Sequence, residues 1–200
     1  MANTIIHIQD SEGDIYGQIA DFNNNERVFH IIRSRYDKVT KDGHKISEYL
    51  KNSSVIGTYN LEISSDNHSK RKKRIAELEV RLIKVILNKP LRASDSLPQE
   101  SKTITVIQAK EINSPKDIEP LNWQLLTSCA VSDFDDAFQV IDWYSARWSI
   151  EEFYRILKKE NFDIESSEME TGWALRKLSI ITMDTSLKVF QIMYCREIIE

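Results

Sequence analysis

Residues 142–159, DWYSARWSIEEFYRILKK, predict an amphipathic helix with four polar groups along one edge. Tyr144, Arg147, Glu151 and Lys158 are separated by three, four and seven positions. At about 100° per residue, they project within roughly 60° of one another on an α-helix. An apolar stripe lies beside them, made of Trp143, Ala146, Ile150, Phe153, Tyr154 and Leu157. The helix is therefore expected to bury one face and present a phenol, a guanidinium, a carboxylate and an ammonium beside it.

A lone carboxylate between cations suits a divalent metal that lies beside a phosphate. Glu151 can supply the oxygen ligand that Mg²⁺ prefers, and Arg147 and Lys158 can hold phosphate oxygens. The alternative is a solvated helix face with i,i+4 ion pairs, which is the commoner use of charged residues at this spacing. Spacing alone leaves both interpretations open.

Composition points to one globular domain, or one domain with an insertion. The 200 residues are 41% hydrophobic and 29% charged, with a net charge of −4. No apolar run approaches the roughly 18 residues of a membrane span, and the start of the chain does not resemble a signal peptide. Cys129 and Cys195 lack metal-site spacing, so reduced thiols in a cytosolic protein are expected. The basic run at residues 70–74, KRKKR, predicts either a solvated loop or a loop that contacts phosphates.

Apolar alternation predicts strands before the helical C-terminal part of the chain. Their predicted ranges are 4–9, 27–33, 55–63, 75–87 and 103–112. Helices are predicted at 14–24, from a capping box at 132–135 to about residue 160, and at 173–199. Between residues 37 and 122, strand-like runs alternate with polar, proline-marked turns, which indicates an antiparallel β segment.

Three side chains outside the 142–159 stretch are candidates for function, each with a structural alternative. Asp10 ends the first predicted strand, where a carboxylate serves a site or a simple turn. Arg33 ends the second predicted strand, where residue type and position alone indicate an exposed strand-end arginine. Trp123 opens a further apolar run, where residue type and position alone favour a core tryptophan.

The pattern Tyr-x2-Arg-x3-Glu-x6-Lys at Tyr144, Arg147, Glu151 and Lys158 resembles the Y-R-E-K signature of bacterial cut-and-paste DDE transposases of the insertion-sequence-four group. The flanking sequence RWSIEEF at 147–153 looks closest to the Tn-five type. Segments 10–15, DSEGDI, and 121–128, LNWQLLTS, resemble two further motifs of the family, in the same order along the chain. One departure is Ser11, where the family member compared has arginine.

This resemblance implies an α/β fold: a partial RNase H-like catalytic core interrupted by a mainly antiparallel β insertion, with long C-terminal helices. Residues 1–36 would hold the retained part of the core, 37–131 the insertion, and 132–200 the helices with the Y-R-E-K residues. Asp10 and Glu151 would be catalytic carboxylates that bind Mg²⁺ or Mn²⁺. The remaining family-matched residues would contact DNA: Tyr144, Arg147 and Lys158 at phosphates, Trp123 at a flipped base and Arg33 near the DNA end.

The family's first catalytic aspartate has no counterpart, because only nine residues precede Asp10. We therefore expect a C-terminal part of a DNA transposase that is inactive alone, located in a bacterial cytoplasm at the nucleoid. Its expected partners are the double-stranded DNA of transposon ends and either a second copy or a full-length transposase. One alternative is a non-catalytic regulator that occupies DNA ends or pairs with a transposase. The other is an unrelated α/β binding module whose helix face only mimics the motif.

Overall fold

The computed structural model describes residues 4–20, 22, 27–63, 73–90, 101–116, 118–158 and 168–199, without the side chains of residues 152 and 194–199. The chain divides into two compact units, Met1–Tyr144 and Ser145–Glu200. Among the described helices, none is both long enough and apolar enough to cross a membrane.

In the part of the first unit that the structure describes, there are six strands and three α-helices. The strands are β1 (Ile5–Gln9), β2 (Val28–Arg33), β3 (Val55–Ile63), β4 (Arg74–Leu87), β5 (Lys102–Ile112) and β6 (Asn122–Thr127). The helices are α1 (Tyr16–Ala20), α2 (Ile46–Asn52) and α3 (Phe134–Ser145), and a 3₁₀ turn (Ser11–Gly13) follows β1. The predicted strands are confirmed, but α2 lies where the sequence indicated only strands and turns. Part of the predicted 14–24 helix, at residues 21 and 23–26, lies outside the described residues.

The six strands form one mixed sheet in the order β1-β2-β6-β5-β4-β3. β1 and β2 are parallel, with His7 opposite His30, and every other neighbouring pair is antiparallel. β6 joins the parallel pair β1–β2 to the antiparallel strands β3, β4 and β5. Ile31 of β2 pairs with Thr127 of β6, and Val106 of β5 pairs with Leu126 of β6. The α/β class is therefore confirmed, and strands from residues 1–36 and 37–131 share a single sheet.

Consecutive apolar residues in the central strands supply both faces of this sheet. Leu125 and Leu126 of β6 are both fully buried, but they belong to different clusters because successive side chains of a strand point to opposite faces. One cluster contains Leu125 and the apolar side of α3, including Ile141. The other contains Leu126 with side chains of α1 and α2, including Leu50. The helices thus cover opposite faces of the sheet.

The cap of α3 lies one residue later than the sequence predicted. The Asp133 carboxylate accepts from the N–H of Asp136 at 3.0 Å, which makes Asp133 the N-cap residue in place of Ser132. The Asp136 carboxylate in turn accepts from the Ser132 N–H at 2.9 Å and from its hydroxyl at 2.7 Å. These bonds lower the pKa of Asp136. Two acids in the first turn also suit the positive end of the helix dipole.

The second unit contains α4 (Trp148–Lys158) and α5 (Gly172–Ile199), which contact each other through an edge-to-face pair, Phe153 and Phe190, at 6.3 Å. The prediction of one helix from residue 132 to about 160 is wrong, because α3 ends at Ser145. The N–H groups of Ser149 and Ile150 bond to carbonyls three residues back, both at 3.0 Å, so the chain turns more tightly here than an α-helix does. Neither glycine nor proline marks this break in the sequence.

Candidate functional site

Asp10 directly follows β1, where the sequence placed it. It caps the 3₁₀ turn, with its carboxylate accepting from the N–H of Glu12 at 2.8 Å, and it is partly exposed. Gln9 pairs with Ile32 across the parallel β1 and β2 strands. Asp10 and Arg33 therefore occupy the next positions at the carboxyl ends of neighbouring strands.

Asp14 fixes the loops at this end of the sheet, a role that its sequence context did not indicate. Its carboxylate accepts from the N–H of Arg35 at 2.7 Å and of Tyr36 at 3.3 Å, and from the Ser34 hydroxyl at 3.4 Å. It also pairs with the Lys38 ammonium, and its side chain is only 1% exposed. These partners follow Asp14 by twenty positions or more, so no local pattern could have revealed them. The contacts hold the loop after β2 against the loop after β1.

Trp123 and Tyr144 come together, but inside the first unit. Their rings meet edge to face at 5.8 Å, and both belong to the cluster on the α3 side of the sheet. Tyr144 is 5% exposed and Trp123 is partly buried. The contacts that the structure gives to these aromatic residues are those of core residues, which matches the structural alternative for Trp123. Their predicted contacts with DNA remain predictions.

Arg147, Glu151 and Lys158 lie in the second unit, whereas Tyr144 lies in the first, so the four residues do not share one helix. A guanidinium nitrogen of Arg147 lies 2.9 Å from Glu151 Oε1, and the side chains are 19% and 46% exposed. The guanidinium also lies over the Trp148 ring at 5.6 Å from its centre. Lys158 is exposed at the end of α4. The Arg147–Glu151 contact is the i,i+4 pair that a solvated helix face predicts.

Only the end of the basic run at residues 70–74 can be placed, because residues 70–72 lie outside the described part of the chain. Lys73 is exposed and pairs with Glu62, and their hydrogen bond raises the pKa of Lys73. Arg74 points the other way. Its guanidinium donates to both carboxylate oxygens of Glu111, at 2.8 to 3.1 Å. Arg74 is therefore a structural residue in this fold.

Glu111 joins three strands at that point. It accepts from Arg74 of β4 and from the N–H of Leu121 just before β6, at 2.9 Å, and its side chain is 2% exposed. Burial by itself raises the pKa of Glu111. The hydrogen bonds from Arg74 and Leu121 and the charge of Arg74 outweigh that effect and leave the pKa below its ordinary value.

A metal ion needs several converging ligands, and the described side chains do not bring them together. Among these residues, no group of three or more histidines, cysteines, aspartates or glutamates is arranged to hold a metal ion. Asp10 belongs to the first compact unit and Glu151 to the second. The Glu151 carboxylate is already paired with Arg147. The expected Mg²⁺ or Mn²⁺ site therefore remains a prediction from the sequence.

No model of a known protein family matches the chain. The resemblance to DDE transposases accordingly rests on the Y-R-E-K residues and on the segments around Asp10 and Trp123.

Proposed function

We propose that the chain is the C-terminal part of a DDE-type DNA transposase that binds the ends of a mobile element. Arg33, Arg147 and Lys158 would contact the DNA, and Asp10 and Glu151 would be two of the carboxylates that bind Mg²⁺ or Mn²⁺. Three local resemblances support this proposal, because they occur in the family's order along the chain.

The geometric observation that carries the proposal is the position of Asp10 beside Arg33. Asp10 follows β1 and Arg33 is the last residue of β2. The register of these parallel strands gives the two residues neighbouring positions, and the Asp14 carboxylate holds the loops that follow the strands. Ligands commonly bind at the carboxyl ends of parallel strands. This end of the sheet therefore has a carboxylate that can bind a metal ion and a guanidinium that can bind a phosphate. Enzymes that act on phosphodiesters use both groups.

Only two carboxylates of this chain match the three that the family uses. Metal-assisted displacement at phosphorus needs a fixed set of ligands around the metal ions. The proposal therefore predicts that the 200-residue chain binds DNA but does not cut it. A nicking assay on supercoiled plasmid with Mg²⁺ or Mn²⁺ measures this directly. Cleavage by the chain that disappears in Glu151→Gln would show that the expected inactivity is wrong.

DNA binding is tested by fluorescence anisotropy with a labelled 40-base-pair duplex over a range of salt concentrations. Lys158→Ala should weaken binding several-fold, since it removes a cation proposed to contact a phosphate. The slope of log affinity against log salt should fall by about 1. Arg33→Ala tests the proposed DNA contact at the carboxyl end of β2 and should lower the affinity and the salt slope in the same way.

Lys188→Ala is the matched control, because this exposed lysine on α5 pairs with Asp184 and has no proposed DNA contact. If Lys158→Ala and Lys188→Ala lowered DNA affinity equally, the binding would depend on overall positive charge and not on a specific contact of Lys158. Unchanged affinity in both Lys158→Ala and Arg33→Ala would contradict the proposed interface and favour the unrelated binding module.

The second candidate function is a non-catalytic regulator, and the Arg147–Glu151 ion pair favours it. A glutamate held by a neighbouring arginine serves a structural role in its helix. Such a regulator would occupy DNA ends or pair with an intact transposase. Co-purification of the tagged chain with a co-expressed full-length transposase of the same signature tests the pairing. Recovery of neither DNA nor the transposase would remove this candidate.

A further inference from the structure

The two edge strands of the sheet differ in how they are protected against pairing. β3, at one edge, has a register irregularity between Val55 and Gly57, and it carries Glu62 in an ion pair with Lys73. β1, at the other edge, reads IIHIQ, with a regular register to β2 and no aspartate, glutamate, lysine, arginine or proline. Bulges, charges and prolines are the usual devices that block edge pairing. β1 has none of them.

The outer side of β1 presents hydrogen-bonding groups in a defined pattern. The Ile5 N–H points toward β2, where it donates to the Arg27 carbonyl at 2.8 Å. Backbone groups alternate in direction along a strand, so those of Ile6 and Ile8 point away from β2. Within the described residues, no strand pairs with this side. The partner that satisfies such groups is another extended strand.

An apolar groove of about 260 Å³ lies beside the same strand. Its wall comes from β1, β2 and α3, including Ile6, Phe29, Val140 and Trp143. Ile6 and Ile8 face this side of the sheet, where they pack against the core. A strand added to β1 would place alternate side chains toward the groove. Apolar side chains are therefore expected at those alternate positions of the partner.

We propose that the partner is a second copy of this chain, with β1 paired antiparallel to the partner's β1 about a two-fold axis at His7. This register pairs all five residues of the strand. Ile6 exchanges both backbone hydrogen bonds with the partner's Ile8, which matches the outward direction of their groups. His7 faces the partner's His7 as a non-hydrogen-bonded pair. No like charges of lysine, arginine, aspartate or glutamate meet across the axis.

The sequence of β1 is complementary to itself, and this favours a second copy of the chain as the partner. Ile6 and Ile8 lie on the groove side of β1. A two-fold axis places the same two isoleucines of the second copy on that side, next to the groove. The inference stands on β1 and its groove alone. It does not depend on the proposed DNA binding, and its test uses no DNA.

The association is measured by sedimentation velocity of the full chain from 1 to 100 µM. We expect a reversible dimer. His7→Lys should weaken it by roughly ten-fold or more, because two ammonium groups would then face each other at the axis. Thr58→Lys is the matched control, since it also adds a lysine at an exposed position of an edge strand. A monomer at every concentration, or equal weakening by both variants, would overturn the proposal.

The register is tested by oxidation of single-cysteine variants in a Cys129→Ser, Cys195→Ser background. His7→Cys should form an intermolecular disulfide, because directly opposed residues of a non-hydrogen-bonded pair lie about 4.5 Å apart between Cα atoms. Ile5→Cys should not, because the two copies of that position lie about four residues apart along the strands. Circular dichroism confirms that each variant is folded. Cross-linking that is equal at the two positions would contradict the proposed pairing.

Discussion

The two compact units differ in what they bury. Every apolar side chain that is buried among the described residues lies between Tyr16 and Tyr144, in the first unit. In the second unit, the buried side chains among those described for α5 are Thr182 and Ser186, whereas Ile180 and Leu187 are 67% and 46% exposed. Burial of apolar surface is the main favourable term in folding. The sheet is therefore expected to be the stable part of the molecule, and the helical unit the less stable part.

This difference separates the candidate residues as well. Asp10 and Arg33 lie at one end of a sheet with a two-sided core. Glu151 and Lys158 lie on α4, and Arg147 directly precedes it, in the unit that buries few of its described side chains. A site on a rigid scaffold holds its geometry before a ligand arrives. If α4 contacts DNA as proposed, fixing its exposed side chains at the phosphates would cost part of the binding free energy.

The largest expected effect is the loss of stability caused by a cavity in the core beside the sheet. Leu125→Ala should destabilise the first unit by about 2–5 kcal/mol, because it removes a fully buried side chain from the central strand β6. Leu187→Ala is the matched change on α5 and should cost less than about 1 kcal/mol. Urea unfolding followed by circular dichroism gives both values. Similar losses for the two leucines would show that the second unit has a core as firm as the first.

A smaller effect is expected at the ionic link between β4, β5 and β6. Glu111→Gln should cost about 1.5–3 kcal/mol, because the amide cannot match a carboxylate as acceptor for the guanidinium of Arg74. The lowered pKa of Glu111 adds a pH dependence. Its stabilising contribution is present above the ordinary pKa of 4.5 and is lost as the pH falls through the lower folded value.

Unfolding free energies measured from pH 6 down to pH 3 test that dependence. The native chain should lose stability below pH 4.5 more steeply than Glu111→Gln does. Asp184→Asn is the control variant, because it removes a carboxylate from an exposed ion pair on α5. Parallel pH profiles for the native chain and Glu111→Gln would show that this link contributes nothing to acid sensitivity.

The smallest expected effect is on that surface pair itself. Lys188→Ala removes an exposed i,i+4 partner of Asp184, at 2.7 Å, and should change stability by no more than about 0.5 kcal/mol. Thermal unfolding in low and high salt measures it, and salt should remove most of the difference. A change above about 1 kcal/mol would indicate that α5 depends on surface charge more than the burial pattern suggests.

Local patterns in the sequence were sufficient for the strands of the sheet. The alternation in β4 and β5 and the apolar run ending at Asp10 each predict an element that the structure contains. α2 was missed because Ile46 and Leu50 are its only buried residues, which is too few for a recognisable helical period. The end of α3 at Ser145 was missed because no glycine or proline marks it.

The candidate site depends on contacts that no short window of sequence contains. Asp14 is held by groups that follow it by twenty or more residues, and Arg74 is turned inward by Glu111, 37 positions away. A helical wheel placed Tyr144 on an exposed edge, but the sheet covers that edge with Trp123. Spacing gives the angle of a side chain on its helix, whereas its exposure is set by what packs against it.

The position of β6 between β2 and β5 also governs the order in which the sheet can be completed. The His30 carbonyl accepts from the Thr127 hydroxyl, 97 positions along the chain. A ribosome adds about 5–20 residues each second, so β1 and β2 emerge roughly 5–20 s before the strand that joins them to the rest. The hairpin pairs β3–β4, β4–β5 and β5–β6 are closer in sequence and should form earlier, with the addition of β1 and β2 as the late and slow step of folding.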